Sequence, residues 1–287
     1  MLRKRLKEHV FHLAQQIGER NIWHHPQLEA AATYIHDQFS ERGYRPQIQA
    51  YQSAGKTVKN LVAELPGTTL PLEIVVVGAH YDTVLGSPGA NDNATGVAAL
   101  LELARLLRDK PMNRTVRFIA FVNEEPPVAY TQEMGSGVYA TQAREQGESI
   151  TAMLSLETIG YYSDTPGSQQ YPFPFSFFYP DTANFIGFVG NLASRSLVRR
   201  SLDAFRLTTP FPSEGVASPG WITGIGWSDH WSFWHAGYPA IMITDTALFR
   251  YPHYHAPTDT PDKLDFGRTA RVVKGLSHVV EALANAP

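Results

Sequence analysis

The sequence predicts an α/β protein of three layers, in which helices cover both faces of a central, mostly parallel mixed sheet. Continuous apolar runs rich in β-branched residues, such as EIVVVGAH at 73–80, are typical of strands buried on both faces. Apolar stretches of helical length, such as GVAALLELARLLRD at 96–109, lie between these runs. Strands that alternate with helices in this way indicate parallel βαβ units.

Two helices are predicted before the first strand. In residues 1–20 apolar side chains recur every three or four positions, which predicts an amphipathic helix. The start of the chain is basic but has no apolar core segment, so it does not read as a signal peptide. A second helix is predicted over 25–44 with Gly43 as its C-terminal stop. Two short strands follow, around 46–51 and 60–65.

The rest of the chain continues the alternation to its end. Further strands are predicted at 115–122, 150–157, 184–191 and 238–245, and a final helix at 270–285. The motif GSGVYA at 135–140 predicts the start of another helix. We therefore predict a single domain over residues 1–287 that begins with the helical segment 1–43. Antiparallel pairing is left open for the edge strands.

Residues 161–180, YYSDTPGSQQYPFPFSFFYP, interrupt this pattern. The segment is rich in aromatic residues and proline, and it has neither helical nor strand periodicity. A long irregular insert in a compact domain is usually a functional loop or a flexible one. Two interpretations stay open: a surface loop held by aromatic packing, and a lid over a substrate.

Composition and charge exclude several classes of function. The formal net charge is −3, so no basic excess points to nucleic acid or an anionic membrane as a partner. No apolar run approaches the length of about 18 residues that a membrane span needs. The chain has no cysteine, which rules out disulfides, thiolate metal ligands and a cysteine nucleophile. These features favour a cytoplasmic protein, with export through a removed signal as the open alternative.

Acidic residues and histidines follow the predicted strands. They are His80 and Asp82 after 74–79, Glu124 and Glu125 after 115–122, Glu157 after 152–156, His255 after 239–244, and Asp92 before the helix near Gly96. Ligands of open α/β sheets bind outside the carboxyl ends of the strands, so we expect these side chains to meet at one edge. Carboxylates brought together repel one another, and a divalent cation removes that repulsion. Histidine and carboxylate ligands without thiolates suit zinc, with cobalt or manganese as substitutes.

Five motifs occur in the order of a known family. They are GAHYDT, GANDNATG, FVNEE, LSLETIGY and YHAPTDTPDKLD. In these motifs the chain resembles the zinc-dependent aminopeptidases of peptidase family M28, over about residues 25–283. The resemblance implies a zinc-exopeptidase fold of the phosphorylase/hydrolase-like type. It also implies two zinc ions per chain and peptide substrates with a free N-terminus.

The resemblance implies a role for each of these acids and histidines. Asp92 resembles the carboxylate that bridges the two zinc ions. His80 and Glu157 resemble the other ligands of one zinc, whereas Glu125 and His255 resemble those of the second. Glu124 resembles the general base that activates a metal-bridging water. The family more often has Asp at the position of Glu157, so the side chain of Glu157 is longer there by one methylene group. The nearby His253 is the competitor of His255.

Other residues are assigned supporting roles. Asp82 is expected to accept a hydrogen bond from His80 and so to fix its tautomer. The family usually has a cis peptide bond after the bridging aspartate, so we expect one between Asp92 and Asn93. Four candidates are predicted for the substrate pocket: Asp229, His230, Tyr251 and Tyr254. Asp229 and His230 fit a buried turn equally well, and spacing does not choose between the two tyrosines as an oxyanion donor.

The leading hypothesis is therefore a di-zinc aminopeptidase that hydrolyses the N-terminal peptide bond without a covalent intermediate. A glutaminyl-peptide cyclotransferase, with one zinc on the same fold, is the nearest alternative. A non-catalytic M28-like binding module is a remote one, because the ligand positions are intact. The sequence does not predict the preferred N-terminal residue, the physiological substrate or the oligomeric state.

Overall fold

The core of the fold is an eight-stranded mixed sheet. The computed structural model describes residues 1–286, so Pro287, the last residue of the predicted domain, lies outside the described residues. The strands are β1 (Gln47–Ser53), β2 (Lys56–Leu65), β3 (Leu70–His80), β4 (Arg114–Phe121), β5 (Ser149–Glu157), β6 (Ile186–Gly190), β7 (Ser213–Ala217) and β8 (Ala240–Thr244). Their order in the sheet is β1-β2-β4-β3-β5-β8-β6-β7.

Strand direction divides the sheet into a parallel centre and mixed edges. The central strands β4, β3, β5 and β8 are parallel to one another. At one edge, β1 pairs antiparallel with β2, and β2 pairs antiparallel with β4. At the other edge, β6 is antiparallel to β8 but parallel to β7. The predicted mixed sheet with a parallel centre is therefore confirmed.

Helices cover both faces of the sheet. The α-helices are α1 (Leu2–Phe11), α2 (His25–Glu41), α3 (Gly96–Leu107), α4 (Gly135–Glu145), α5 (Arg195–Thr208), α6 (His230–His235) and α7 (Phe266–Ala284). One face packs into the large apolar cluster that includes α1, α2, α3, α5 and α7. The other face packs against α4 and α6 through a smaller cluster around Phe121 and Phe233. This arrangement confirms the predicted three-layer αβα architecture.

Three elements were not predicted from the sequence. They are α5, β7 and α6, which all lie between the predicted strand at 184–191 and the predicted strand at 238–245. The segment 161–180 has a single 3₁₀ turn, Phe175–Phe177, and is otherwise irregular. In the described part of the chain, no helix combines the length and apolar character needed to cross a bilayer.

Candidate metal centre

The five predicted metal ligands converge at the carboxyl ends of the central strands. His80 and Glu157 are the last residues of β3 and β5. Glu125 follows β4, and His255 lies in the loop after β8. Asp92 lies in the segment Ala90–Thr95 that leads into α3, at a kink where its own backbone is not helical. The sequence-based expectation that these residues share one edge of the sheet agrees with this geometry.

Asp92 lies between two imidazoles. Its Oδ1 is 3.3 Å from Nε2 of His80, and its Oδ2 is 3.0 Å from Nε2 of His255. The peptide bond from Asp92 to Asn93 is cis, as expected from the resemblance. Each oxygen of one carboxylate therefore faces a different histidine, which divides the cluster into two halves.

Each half contains one further carboxylate. Oε2 of Glu157 is 3.1 Å from Nε2 of His80, and Oε2 of Glu125 is 3.2 Å from Nε2 of His255. His80, Asp92 and Glu125 offer ligand atoms that all lie within 4.8 Å of one another. His253, the competitor of His255, instead has its Nδ1 2.8 Å from Oγ1 of Thr258. The geometry thus favours His255 over His253 as the residue of the cluster.

Several polar atoms of this cluster lack a hydrogen-bond partner among the described residues. They are both carboxylate oxygens of Asp92, Oε1 of Glu125, Nδ1 of His80 and Nε2 of His255. Burying a polar group without a partner is costly, and buried charges are usually paired or bound to metal. The donor set consists of oxygen and imidazole nitrogen, which zinc accepts. The residues present therefore fit a zinc site.

The carboxylates perturb one another because they are buried together. Burial, with the charge of Asp92, raises the pKa of Glu125 to about 7. Burial raises the pKa of Glu157 to about 7 even though His80 acts in the opposite direction. Burial also raises the pKa of Glu124 well above its ordinary value, and Glu157 and Glu125 add to this effect. Cations bound in the cluster would stabilise the charged forms of these acids.

The histidines respond to the same group of acids. Burial lowers the pKa of His80, but Glu124 and Glu157 outweigh it and raise the pKa well above the ordinary value. For His255, burial is outweighed by Asp92 and Glu125, which raise its pKa to about 11. Without a metal, the imidazoles would thus hold protons in the positions where neutral imidazole ligands bind zinc.

Glu124 and Asp82 lie beside the cluster. Oε2 of Glu124 is 3.7 Å from Nε2 of His80, and its side chain is 12% exposed, more than the side chains of His80 or Asp92. Asp82 accepts hydrogen bonds from the backbone amides of Glu124 and Glu125, both at 3.1 Å. Its Oδ1 is 3.6 Å from Nδ1 of His80, which is longer than a hydrogen bond. The expected bond to His80 is therefore not formed, because the oxygens of Asp82 face the turn that carries the two glutamates.

A second layer of contacts fixes the segment around Asp92. Asp259 is fully buried and accepts the backbone amides of Asn91 and Asp92 at 2.8 and 3.1 Å. Asn93 accepts the amide of Gly96 and so caps the start of α3. The hydroxyl of Ser228 donates to Oε2 of Glu157 at 2.8 Å. The contact between Ser228 and Glu157 was not predicted from the sequence.

Arg20 reaches the same segment from the N-terminal region. Its guanidinium is fully buried and donates to the backbone carbonyls of Tyr81, Pro88 and Gly89 at 2.6 to 2.9 Å. Weaker bonds reach the carbonyls of Leu13 and Gly18 at 3.4 and 3.1 Å. One side chain thus ties the N-terminal helical segment to the loop that leads to Asp92. This role of Arg20 was not predicted from the sequence.

The four candidates for the substrate pocket lie in different environments. Asp229 and His230 are fully buried, and Nε2 of His230 donates to the carbonyl of Ile225 at 2.8 Å. Burial raises the pKa of Asp229 to about 7 and lowers that of His230 to about 4. Tyr251 is also buried, and its hydroxyl donates to Oδ1 of Asp259 at 2.7 Å. Tyr254 stacks on His255 and lines the pocket described next.

An apolar pocket opens directly beside the cluster. It encloses about 800 Å³ of empty space when the open solvent at its mouth is included, and Glu157 is one of its lining residues. Tyr171, Phe175 and Tyr179, from the irregular segment 161–180, line it as well. The segment is also held by packing, since the hydroxyl of Tyr179 donates to the carbonyl of Gly215 at 2.9 Å. It therefore combines aromatic packing with a position in the pocket wall.

Comparison with known proteins decides the family. The family model described as peptidase family M28 matches residues 60–280. The chain belongs to peptidase family M28. This membership confirms the predicted family and the prediction of a zinc-dependent hydrolase from a metallopeptidase family.

Two relatives of this M28 chain differ in the fraction of their own length that aligns with it. The uncharacterized protein YfbL of Escherichia coli is 39% identical over 282 residues, which cover 95% of this chain and 86% of YfbL. A probable leucine aminopeptidase of Arthroderma otae is 28% identical over 229 residues, covering 74% of this chain and 55% of the fungal protein. The chain thus spans nearly all of the first relative and about half of the second.

Solved structures show that the fold is shared by two kinds of enzyme. BSAP, a zinc aminopeptidase from Bacillus subtilis, superposes with a TM-score of 0.76 at 16% identity, covering 99% of this chain and 95% of BSAP. A glutaminyl cyclase from Fimbriiglobus ruber superposes with a TM-score of 0.70 at 20% identity, covering 97% and 94%. At these identities the superpositions support the fold alone.

Proposed function

We propose that this M28 chain is a di-zinc aminopeptidase that hydrolyses the first peptide bond of peptides with a free N-terminus. The observation that carries the proposal is that the two oxygens of Asp92 face the imidazoles of His80 and His255 separately. A carboxylate placed in this way could hold one ion with each oxygen, together with the histidine that faces it. Glu157 and Glu125 supply one further carboxylate to each half.

The proposed ligands are His80, Asp92 and Glu157 for one zinc and His255, Asp92 and Glu125 for the other. Two zinc ions held there would polarise the scissile carbonyl and lower the pKa of the attacking water. The ligand side chains are held from outside the cluster, Glu157 by Ser228 and the backbone of Asp92 by Asp259. Such outer contacts orient ligands and tune their affinity for metal.

Glu124 is the proposed general base. Its carboxylate is the more open member of the Glu-Glu pair, so it can reach a water beside the cluster. It takes a proton from the water as the water oxygen bonds to the carbonyl carbon. It then returns the proton to the leaving nitrogen as the C–N bond breaks. The products are a free amino acid and a peptide shortened by one residue.

Asp82 is the proposed positioning residue for this base. Its two oxygens hold the amides of Glu124 and Glu125, so it fixes the turn from which both carboxylates project. Because the carboxylate of Glu125 lies at His255 while that of Glu124 lies nearer His80, one carboxylate can serve a metal while its neighbour faces the water.

A glutaminyl cyclase with one zinc is the alternative that shares this fold. The half of the cluster formed by His80, Glu157 and one oxygen of Asp92 has a full set of ligands. A second complete set supports the peptidase over a one-metal enzyme. A count of bound metal separates the two functions.

The test combines metal content with hydrolysis. Zinc per chain would be measured on the wild type, Glu124→Gln, Glu125→Gln and the exposed control Glu145→Gln, together with turnover of a panel of aminoacyl-p-nitroanilides. We expect two zinc ions in the wild type and in Glu124→Gln, with kcat at least about 100-fold lower in Glu124→Gln. Glu125→Gln should hold less zinc, and Glu145→Gln should match the wild type.

One zinc per chain without hydrolysis, but with cyclisation of peptides that begin with glutamine, would replace the proposal with the cyclase. Full zinc content with unchanged activity in Glu124→Gln would remove Glu124 from its role as base. A protein that binds no zinc would contradict the catalytic proposal as a whole.

A further inference from the structure

The pocket beside the metal centre has a floor made by one face of the sheet. Pairing in the sheet aligns Glu157 with Thr244, Thr244 with Gly187, and Gly187 with Glu214. All four residues line the pocket. Residues paired across neighbouring strands lie on the same face. The floor is therefore a straight row that runs from the proposed zinc ligand Glu157 to a second glutamate, Glu214.

The length of this row is set by the spacing of strands. Three steps of about 4.8 Å put the backbone positions of Glu157 and Glu214 roughly 14 Å apart. Gly187 lies between them and has no side chain to obstruct the row. The row is therefore free of a side chain at Gly187, where the methyl groups of Thr244 and Thr246 border it, and it continues to Glu214 on the edge strand β7.

Apart from its two ends, the pocket has no charged lining residue in residues 1–286. Its walls are aromatic and aliphatic, with Phe175, Phe185 and Phe249 among the lining residues. Such walls suit the methylene stem of a long side chain, whose charged end then needs a polar partner. Within the pocket, Glu214 is the partner farthest from the metal centre.

Glu214 has an incomplete set of contacts. Its side chain is 33% exposed, and its nearest cation, Nη2 of Arg206, is 4.0 Å away. Arg206 already donates to the backbone carbonyl of Ser213. Glu214 accepts no hydrogen bond within residues 1–286, and partial burial raises its pKa although Arg206 acts in the opposite direction. An ammonium or guanidinium group from a ligand would complete its contacts.

We propose that Glu214 selects substrates whose N-terminal residue is lysine or arginine. This inference rests on the proposed aminopeptidase function, because that function fixes the scissile carbonyl at the zinc end of the row. An extended lysine spans roughly 7–8 Å from its carbonyl carbon to its ammonium nitrogen at standard bond lengths. A charge-assisted hydrogen bond adds about 3 Å. The sum, about 10–11 Å, is less than the roughly 14 Å between the backbone positions of Glu157 and Glu214, so a lysine side chain fits within the row.

The sharpest comparison is between lysine and norleucine. Norleucine has the same carbon stem without the ammonium, so both stems make the same contacts with the apolar walls. Only the contact of the ammonium with Glu214 differs between the two substrates. The experiment measures kcat/KM for the p-nitroanilides of lysine, arginine and norleucine with zinc-loaded wild type, Glu214→Gln and the exposed control Glu145→Gln. Calorimetry of free lysine and norleucine, the products, gives a readout of binding that needs no turnover.

We expect the wild type to favour lysine and arginine over norleucine by about tenfold in kcat/KM, and lysine over norleucine in binding. In Glu214→Gln both preferences, in kcat/KM and in binding, should fall to ratios near one. In Glu145→Gln both ratios should equal those of the wild type. Hydrolysis with a lysine-to-norleucine ratio that Glu214→Gln does not change would overturn the role of Glu214 and leave the aminopeptidase intact. Absence of hydrolysis, with selective binding of lysine that depends on Glu214, would support the pocket and overturn the peptidase. Equal binding of both amino acids would overturn the pocket in either case.

Discussion

Tyr251 donates its hydroxyl hydrogen to Oδ1 of Asp259 across 2.7 Å in the interior of the protein. The same carboxylate accepts the backbone amides of Asn91 and Asp92. One side chain from the loop after β8 therefore holds the backbone from which the central carboxylate of the metal cluster projects. Tyr251 in turn holds Asp259, so its hydroxyl stabilises the cluster indirectly, through the carboxylate of Asp259.

Asp259→Asn should weaken zinc binding. Asparagine has one acceptor oxygen instead of two, so at least one of the three donors loses its partner. Loss of such an outer contact typically lowers metal affinity by about 10–100-fold. Competition with a zinc chelator would measure the affinity, with the exposed Asp262→Asn as the matched control. Equal affinity in Asp259→Asn and Asp262→Asn would contradict the supporting role of Asp259.

Arg20→Met should lower the free energy of unfolding by about 3–5 kcal/mol, because three buried carbonyls lose a charged donor and each such hydrogen bond contributes about 1.5–3 kcal/mol. The variant leaves the carbonyls of Tyr81, Pro88 and Gly89 buried without their donor. Chemical denaturation at fixed zinc concentration would measure the change, with the exposed Arg3→Met as the control. A loss below about 1 kcal/mol would mean that water or other donors replace the guanidinium.

His230 should make stability depend on pH. Burial lowers its pKa from 6.5 to about 4 in the folded protein. Between these values the unfolded chain binds the proton and the folded protein does not, so stability falls as the pH falls from 6.5 to about 4. At 1.36 kcal/mol per pKa unit, the full loss is roughly 3 kcal/mol.

His230→Gln tests this dependence, because its amide can still donate to the carbonyl of Ile225 but does not titrate. Denaturation between pH 7 and pH 4 should show a smaller loss of stability in this variant than in the wild type. Acid release of metal affects both proteins, so the difference between their profiles isolates His230. Parallel profiles would show that His230 is not buried in its neutral form.

Gly187→Val should narrow the floor of the pocket. A Cβ at Gly187 would lie 3.3 Å from the carbonyl oxygen of Thr244 and 3.6 Å from a methyl group of Thr246, so the valine methyl groups would add bulk to the floor of the pocket. We expect KM for lysine p-nitroanilide to rise by about tenfold or more, while alanine p-nitroanilide is affected much less. A thermal melt would verify that the variant is folded. An equal change for both substrates would place the lysine side chain elsewhere.

The sequence predicted most of the cluster because its residues follow recognisable strands. His80 and Glu157 end runs of apolar residues, and parallel strands bring such ends to one edge. Apolar periodicity also predicted α3 and α7, which are buried along most of their length. The ligand roles taken from the resemblance stay predictions, although the geometry of Asp92 agrees with them.

Elements with little apolar content were missed. In α5, RSLVRRSLDAFRLT, only Leu197, Val198, Ser201 and Phe205 are buried, so charged residues obscure the helical stripe. β7, SEGVA, is a short edge strand with one fully buried residue, Ser213, and so has no strand signature. Because β7 went unrecognised, Glu214 could not be assigned to the pocket. The role of Arg20 was equally invisible, since it depends on carbonyls more than 60 residues away.

The aromatic wall of the pocket comes from a stretch of chain that supplies no proposed zinc ligand. Tyr171, Phe175 and Tyr179 lie between β5 and β6, and Glu214 lies on the far edge of the sheet, whereas the metal cluster is built on the central strands. Much of the wall of the pocket thus comes from parts of the chain that supply none of the proposed zinc ligands, although Glu157 and Tyr254 belong to both regions. Exchange of residues 161–180 between relatives would then change the preferred substrate of the proposed aminopeptidase, whereas the proposed zinc ligands and Glu124 would stay the same.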